Sequence, residues 1–140
     1  MADQPALFRE AARVLRPGGR LLVVVGRPEA DEINQVVLDL ADRFDPGRNA
    51  RDDPERLRGA AESAGLRPRP SPPPLARTYL ESPADAARRI EERSSSAFWN
   101  VDEEEWRDVV PPALERLRAM GSDPVERTSF DQLLVFEAAP

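Results

Sequence analysis

The 140-residue chain contains no cysteine and no histidine. The first absence excludes disulfides, thiolate metal sites and cysteine nucleophiles. The second removes the commonest general base and the commonest metal ligand. Any acid–base work falls to Asp, Glu or the single tyrosine, Tyr79. Ser94, Ser95 and Ser96 have no imidazole to activate them, so Ser–His–Asp hydrolysis is excluded as well. Lysine is also missing: all 20 basic residues are arginine, set against 26 acids for a net charge of -6. The arginines are scattered among the acids and form no basic stripe, which argues against nucleic acid or an anionic membrane as partner. The longest apolar run is far shorter than the roughly 20 residues a membrane span requires. No signal-peptide pattern opens the sequence, and the expectation is a soluble cytoplasmic protein. No GxG occurs anywhere, so the phosphate- and dinucleotide-type glycine turn is not present in any frame.

What is present is a clear alternation of helix and strand signals. In the opening segment Phe8, Ala11, Ala12 and Leu15 fall on one helical stripe, flanked by Leu7 and Val14. Asp3 is a candidate N-cap, and Pro5 suits a first turn. Pro17 cannot continue the helix, and Gly18 or Gly19 can take a left-handed stop. Leu21 to Val25 is apolar on both faces and rich in valine, the pattern of a buried parallel strand. Residues 31–44 predict a helix through Ile33, Val36, Val37, Leu40 and Phe44, closed near Gly47. Residues 45–52 read as a polar loop.

Asp53 as N-cap, Pro54 at the first helical position and Gly65 as stop frame a further helix with a thin stripe of Leu57, Ala60, Ala61 and Ala64. Residues 67–75 hold five prolines. They predict either a strand confined to a sheet edge or, over 71–74, a polyproline linker. Ser82, Pro83 and Asp85 start a helix that runs to about Arg93. Asp102 and Glu105 form a capping box for the next, which Pro111 and Pro112 should kink or split. The acidic run 102–105 complements a helix dipole and lacks the spacing of a calcium loop, so no metal site is expected. Gln132 to Ala138 predicts a final strand, with 125–130 either strand or loop. The order implies an α/β fold with a small sheet, a single domain over 1–140: a helix–strand–helix part with a Pro-rich edge (1–75), a helical insertion (76–122) and a last strand (123–140).

Two aromatics beside an amide, Phe98, Trp99 and Asn100, suit the wall of a small-molecule pocket, as does Tyr79. The competing reading is that Phe98 and Trp99 plug the seam between the insertion and the sheet. No residue stands out as catalytic.

The segment LFREAARVLRPGGRLLVVV, residues 7–25, resembles the helix and fifth strand of class I S-adenosylmethionine (SAM) dependent methyltransferases. DPERLRGAAESAGL, residues 53–66, resembles the helix before their sixth strand. Residues 79–121 resemble the helical insertion that some small-molecule methyltransferases carry, and QLLVFEA resembles their seventh strand. The resemblance spans nearly the whole chain but only the second half of the family's fold. It implies a partial Rossmann-like sheet in the order five, seven, six, with strand seven antiparallel and strand six at the edge. It also implies a substrate side that includes Tyr79, Phe98, Trp99 and Asn100. The family's cofactor is SAM, but its glycine loop and ribose carboxylate would lie upstream of Met1. No cofactor-binding residue is therefore carried onto this chain, and the chain alone is not expected to bind SAM. The expected roles are the substrate-side part of a methyltransferase, inactive without a SAM-binding half, or a non-catalytic remnant that acts as a homodimeric or partner-binding module. An apolar strand at 20–25 without its outer neighbour predicts pairing of two copies about a two-fold axis.

Overall fold

The computed structural model describes residues 3–140. The elements are α1 (Gln4–Val14), β1 (Arg20–Pro28), α2 (Glu32–Phe44), a one-turn α3 (Arg48–Arg51), α4 (Pro54–Ser63), β2 (Leu66–Arg69), β3 (Leu75–Glu81), α5 (Pro83–Glu91), a 3₁₀ turn (Ser96–Phe98), α6 (Glu103–Ala119) and β4 (Val125–Ala138). The four strands form one sheet in the order β1-β4-β2, and β3 also pairs with β4. β2 runs antiparallel to β4, with Leu66 opposite Ala138 and Arg69 opposite Val135. β1 is antiparallel to β4 too: Ala138 N–H donates to Gly19 O (2.9 Å), and at the other end Glu29 N–H donates to Thr128 O (2.9 Å). β1, β4 and β2 thus reproduce the order five, seven, six, with the antiparallel strand between two mutually parallel ones and the proline-bearing strand outside.

The contacts divide into two compact units, 1–27 with 49–76 and 130–140, and 28–48 with 77–129. In the first, Phe8 from α1 meets Phe136 of β4 edge to face, with ring centroids 5.7 Å apart. Leu57, Ala61, Leu66, Leu134 and Val25 close the same core. The predicted stripes of α1 and α4 therefore lie on one face of the sheet. In the second, α2, α5, the 3₁₀ turn and α6 bury Ile33, Val36, Leu40, Ile90, Phe98, Val110, Leu114 and Leu117 against one another.

Capping follows the sequence closely. The side chains of Asp3, Asp31, Asp53, Ser82 and Asp102 each accept from a backbone N–H in the first turn of the helix that follows. Ser82 and Asp85 make a complete reciprocal box. The Pro-Gly stop after α1 takes a different form from the one anticipated. The helix ends at Val14, and Arg16–Gly19 is a β-turn closed by Gly19 N–H to Arg16 O (2.7 Å), with Gly18 at φ +73°. Proline second and glycine third is what a type II turn demands.

Three expectations are corrected. The polar stretch 45–52 contains the short helix α3. Residues 76–81, assigned to the helical insertion, belong with Leu75 to the strand β3, because Thr78, Tyr79 and Leu80 favour extended backbone. Pro111 and Pro112 do not split α6, which runs unbroken for 17 residues. Their missing N–H groups free the carbonyls of Arg107 and Asp108, both on exposed residues that water reaches.

Two glycines of one helix give a paired test. Gly59 lies within α4 and Gly65 just past it at φ +85°, and a Cβ at either would meet nothing within 4 Å. Gly59→Ala should stabilise the fold by about 0.5–1 kcal/mol, and Gly65→Ala should destabilise it by about 1–2 kcal/mol, both measured by urea unfolding.

Candidate functional site

The most heavily charged buried feature of the chain lies in the second unit. Arg127, near the start of β4, is 1% exposed. Its guanidinium donates to both oxygens of Asp31, the N-cap of α2, at 3.0 and 3.1 Å. Glu81, the last residue of β3, stands 3.5 Å from Nη1 and is itself held by Arg89 of α5 at 2.7 Å. The Tyr79 ring lies 5.7 Å from the Arg127 guanidinium. Each partner comes from an element end: the turn after β1, the end of β3 and the beginning of β4. Asn34, also buried, ties that turn down by donating to Glu29 O (2.6 Å).

The chemistry of this cluster is that of a clamp. Burial by itself would raise the Asp31 carboxyl, but hydrogen bonds from Arg127 and from the Asn34 and Ile33 backbone, with the Arg127 charge, outweigh it and hold Asp31 below the usual carboxylate range. A carboxylate stabilised in its ionised form and already engaged is a poor general base. Arg127 Nη1 and the Ser129 hydroxyl are buried without a hydrogen-bond partner.

The sequence-predicted site residues fall into two places. Phe98 is buried and packs edge to face on Phe44 and Trp106, at 6.2 and 5.8 Å. Trp99 is 65% exposed, its indole N–H donating to Arg93 O (2.9 Å), and Asn100 is exposed beside it. Tyr79 is half-buried on β3, against Arg127. Trp106 does not pack against its own helix alone: it stacks on Phe44 at 6.1 Å and carries the Arg93 guanidinium 4.1 Å from its ring centre. The residues that sequence reasoning missed are Asp31, Glu81, Arg127 and Ser129. Asp31 was legible only as the first residue of a predicted helix, and nothing in VERTSF separates Arg127 from the other 19 arginines.

A concavity of about 310 Å³ lies in the first unit beside β1, lined by Gln4, Leu7, Phe8, Val23, Val25, Asp52 and Leu57 among others. Gln4 and Asp52 add polar groups to its otherwise apolar walls, which carry no cluster of reactive groups. The turns that lead from a strand directly into a helix, 29–31 after β1 and Ser82 after β3, contain no glycine to admit a ligand against the backbone. Among the described residues, no helix is long and apolar enough to cross a membrane.

No protein-family description matches the chain, and no curated protein matches it. Solved structures do. The chain is similar to a protein of Galdieria sulphuraria named as a sarcosine dimethylglycine methyltransferase, at 18% identity and a TM-score of 0.38, over 99% of this chain and 49% of the other. It is similar to Haemonchus contortus phosphoethanolamine N-methyltransferase 2, solved with phosphomonomethylethanolamine and S-adenosylhomocysteine, at 14% identity and a TM-score of 0.36, over 100% of this chain and 31% of the other. The same enzyme solved with S-adenosyl-L-methionine gives 14% and 0.35 over the same shares. The chain thus spans about half the length of the first of these proteins and about a third of the second.

If the Asp31–Arg127 pair acts as a clamp, its contribution must fade in acid. Asp31 is depressed in the folded state, so its stabilisation is complete above the unfolded carboxylate value of about 3.9 and is lost as pH falls through the lower folded value. The stability gap between wild type and Asp31→Asn should be widest near neutral pH and should narrow steadily below about pH 4, followed by urea unfolding across pH.

Proposed function

We propose that this chain is the substrate-side part of a SAM-dependent methyltransferase fold acting on a small molecule, inactive until a complementary SAM-binding part joins it. The observation that carries the reading is the strand arrangement. A helix ending in RVLRPGG leads into β1, and β1-β4-β2 has the order and directions that this resemblance implies for strands five, seven and six. The glycine-free turns after β1 and β3 support the second half of the proposal, because nothing in them admits the cofactor. On this reading Tyr79, Trp99 and Asn100 face the substrate, and Phe98 anchors the loop that carries Trp99 and Asn100. Methyl transfer depends on holding a nucleophile in line with the sulfonium methyl, so a substrate side without its cofactor side has nothing to orient against. Titration calorimetry of the purified chain with SAM should give no saturable heat. Binding in the micromolar range would overturn the proposal.

A second reading, a non-catalytic homodimeric module, is favoured by one observation. β1 is the end strand of its sheet, with β4 on one edge only, and Val23, Val24 and Val25 at its centre. Unpaired apolar edges are templates for further pairing, and two-fold symmetry would join two β1 strands antiparallel. Light scattering at micromolar concentration should then report a dimer that Val24→Pro, which removes one edge donor, returns to monomer. A monomer across that range would exclude this reading.

A further inference from the structure

The sheet of the first unit has two faces, and only one is covered by helices. Leu21, Val23 and Val25 of β1, with Leu134, Phe136 and Ala138 of β4, turn towards α1 and α4. The alternate residues turn the other way. The hydrogen bonds at the two ends of β1 span equal lengths of β1 and β4, so the strands pair without slip. Leu22 then stands opposite Val135 and Val24 opposite Leu133. Leu22 is 59% exposed and Val24 66% exposed. Leu133 and Val135 are half-buried beside them.

At one end of this apolar strip sits a charge imbalance. Glu137 of β4 is approached by Arg20 at 3.4 Å, by Arg69 at 3.7 Å and by Arg67 at 4.0 Å. The three guanidinium side chains remain 49–62% exposed, whereas Glu137 is 17% exposed. One carboxylate cannot neutralise three arginines or occupy their donors, each guanidinium offering five N–H groups in a planar fork. Asp131 lies at the opposite end of the strip, beside Gly26. The result is an apolar strip with surplus positive charge at one end, on a chain whose net charge is -6.

We propose that this face docks an acidic amphipathic helix supplied by a partner polypeptide, its apolar stripe on Leu22, Val24, Leu133 and Val135 and its carboxylates on Arg20, Arg67 and Arg69. Helices cover the faces of α/β sheets because only they bury a strip of side chains without needing the sheet's backbone groups. The dimensions agree: three strands at about 4.8 Å spacing make a floor about 10 Å wide, the diameter of one helix. Within this unit no described helix is available for the task. α1 and α4 spend their apolar stripes on the opposite face, and α2, α5 and α6 bury theirs against one another. An anionic bilayer fits less well, because the strip carries no Trp or Tyr to sit at a lipid headgroup layer. The proposal is independent of any methyl-transfer role.

The test uses a fluorescein-labelled, end-capped helical peptide of about four turns, with leucines at i, i+3, i+4 and i+7 and glutamates flanking them, and a twin with lysine at every glutamate. Anisotropy should show saturable, salt-sensitive binding of the glutamate peptide, with the lysine peptide weaker by at least about tenfold. The double variant Arg67→Glu/Arg69→Glu and the separate variant Leu22→Asp should each weaken the glutamate peptide by a similar factor, with far-UV circular dichroism unchanged. Both variants lie at exposed positions, so retention of the fold is expected and is checked in the same samples. The proposal is overturned if the glutamate peptide fails to bind, if the two peptides bind alike, or if both variants bind as wild type does. It is also overturned if vesicles of phosphatidylcholine with phosphatidylserine take up the chain and the peptide does not compete, or if Leu22→Asp abolishes a dimer of the chain itself.

Discussion

β4 carries hydrogen bonding that no other element shares: β1, β2 and β3 all pair with it. It is also the last strand in the chain, Val125–Ala138, while β1 begins at Arg20. The sheet therefore cannot assemble until residues separated by more than a hundred positions meet, and the loop-closure entropy of that meeting is spent before any ladder bond rewards it. Local features lower the cost. Each of the five longer helices opens on a side-chain cap, and the turn at Arg16–Gly19 delivers β1 from α1 with proline and glycine at the positions its geometry requires. These fix short segments early, so that β4 closes over elements already near their final form.

The same strand serves both compact units, through residues 125–129 in one and 130–138 in the other. In one part it supplies Leu134, Phe136 and Ala138 to an apolar core; in the other it supplies a buried arginine. That arginine reaches Asp31 and Glu81, and so ties the N-terminus of α2 and the end of β3 to the start of β4. Burying a guanidinium costs several kcal/mol before its partners repay it. The repayment here needs both carboxylates, which makes the geometry of three element ends interdependent. Packing by Phe98, Phe44 and Trp106 then holds the helices of that unit.

Much of this was legible from residue order. The stripes of α1, α2 and α4, the caps at Asp53 and Ser82 and the glycine stop at Gly65 all follow from local periodicity and turn chemistry, and the structure contains them; the run 21–25 is a strand as expected, but instead of a buried parallel strand it is an end strand antiparallel to β4 with Leu22 and Val24 exposed. What escaped was set by partners distant in sequence. β3 is mostly exposed, so its strand character comes from pairing with β4 and not from an apolar alternation. The reach of β4 back to Val125 has the same origin. α6 runs through two prolines because Val110, Leu114 and Leu117 bury a face on either side of them, a tertiary gain that local propensity does not contain. The Arg127 clamp was invisible because a buried ion pair depends on three strand and helix ends meeting, and each residue alone reads as an ordinary surface charge. Of the four residues singled out for a substrate, Phe98 is buried while Trp99 and Asn100 are exposed.

The dependence of the sheet on its last strand can be read directly by native-state hydrogen exchange in rising denaturant. If β4 is the organising element, the amides of β1 and β2 that bond to it should lose protection together with those of residues 130–138, at one common free energy. Protection of β1 that survives after β4 has exchanged would show that the sheet holds without its last strand, and would contradict the account.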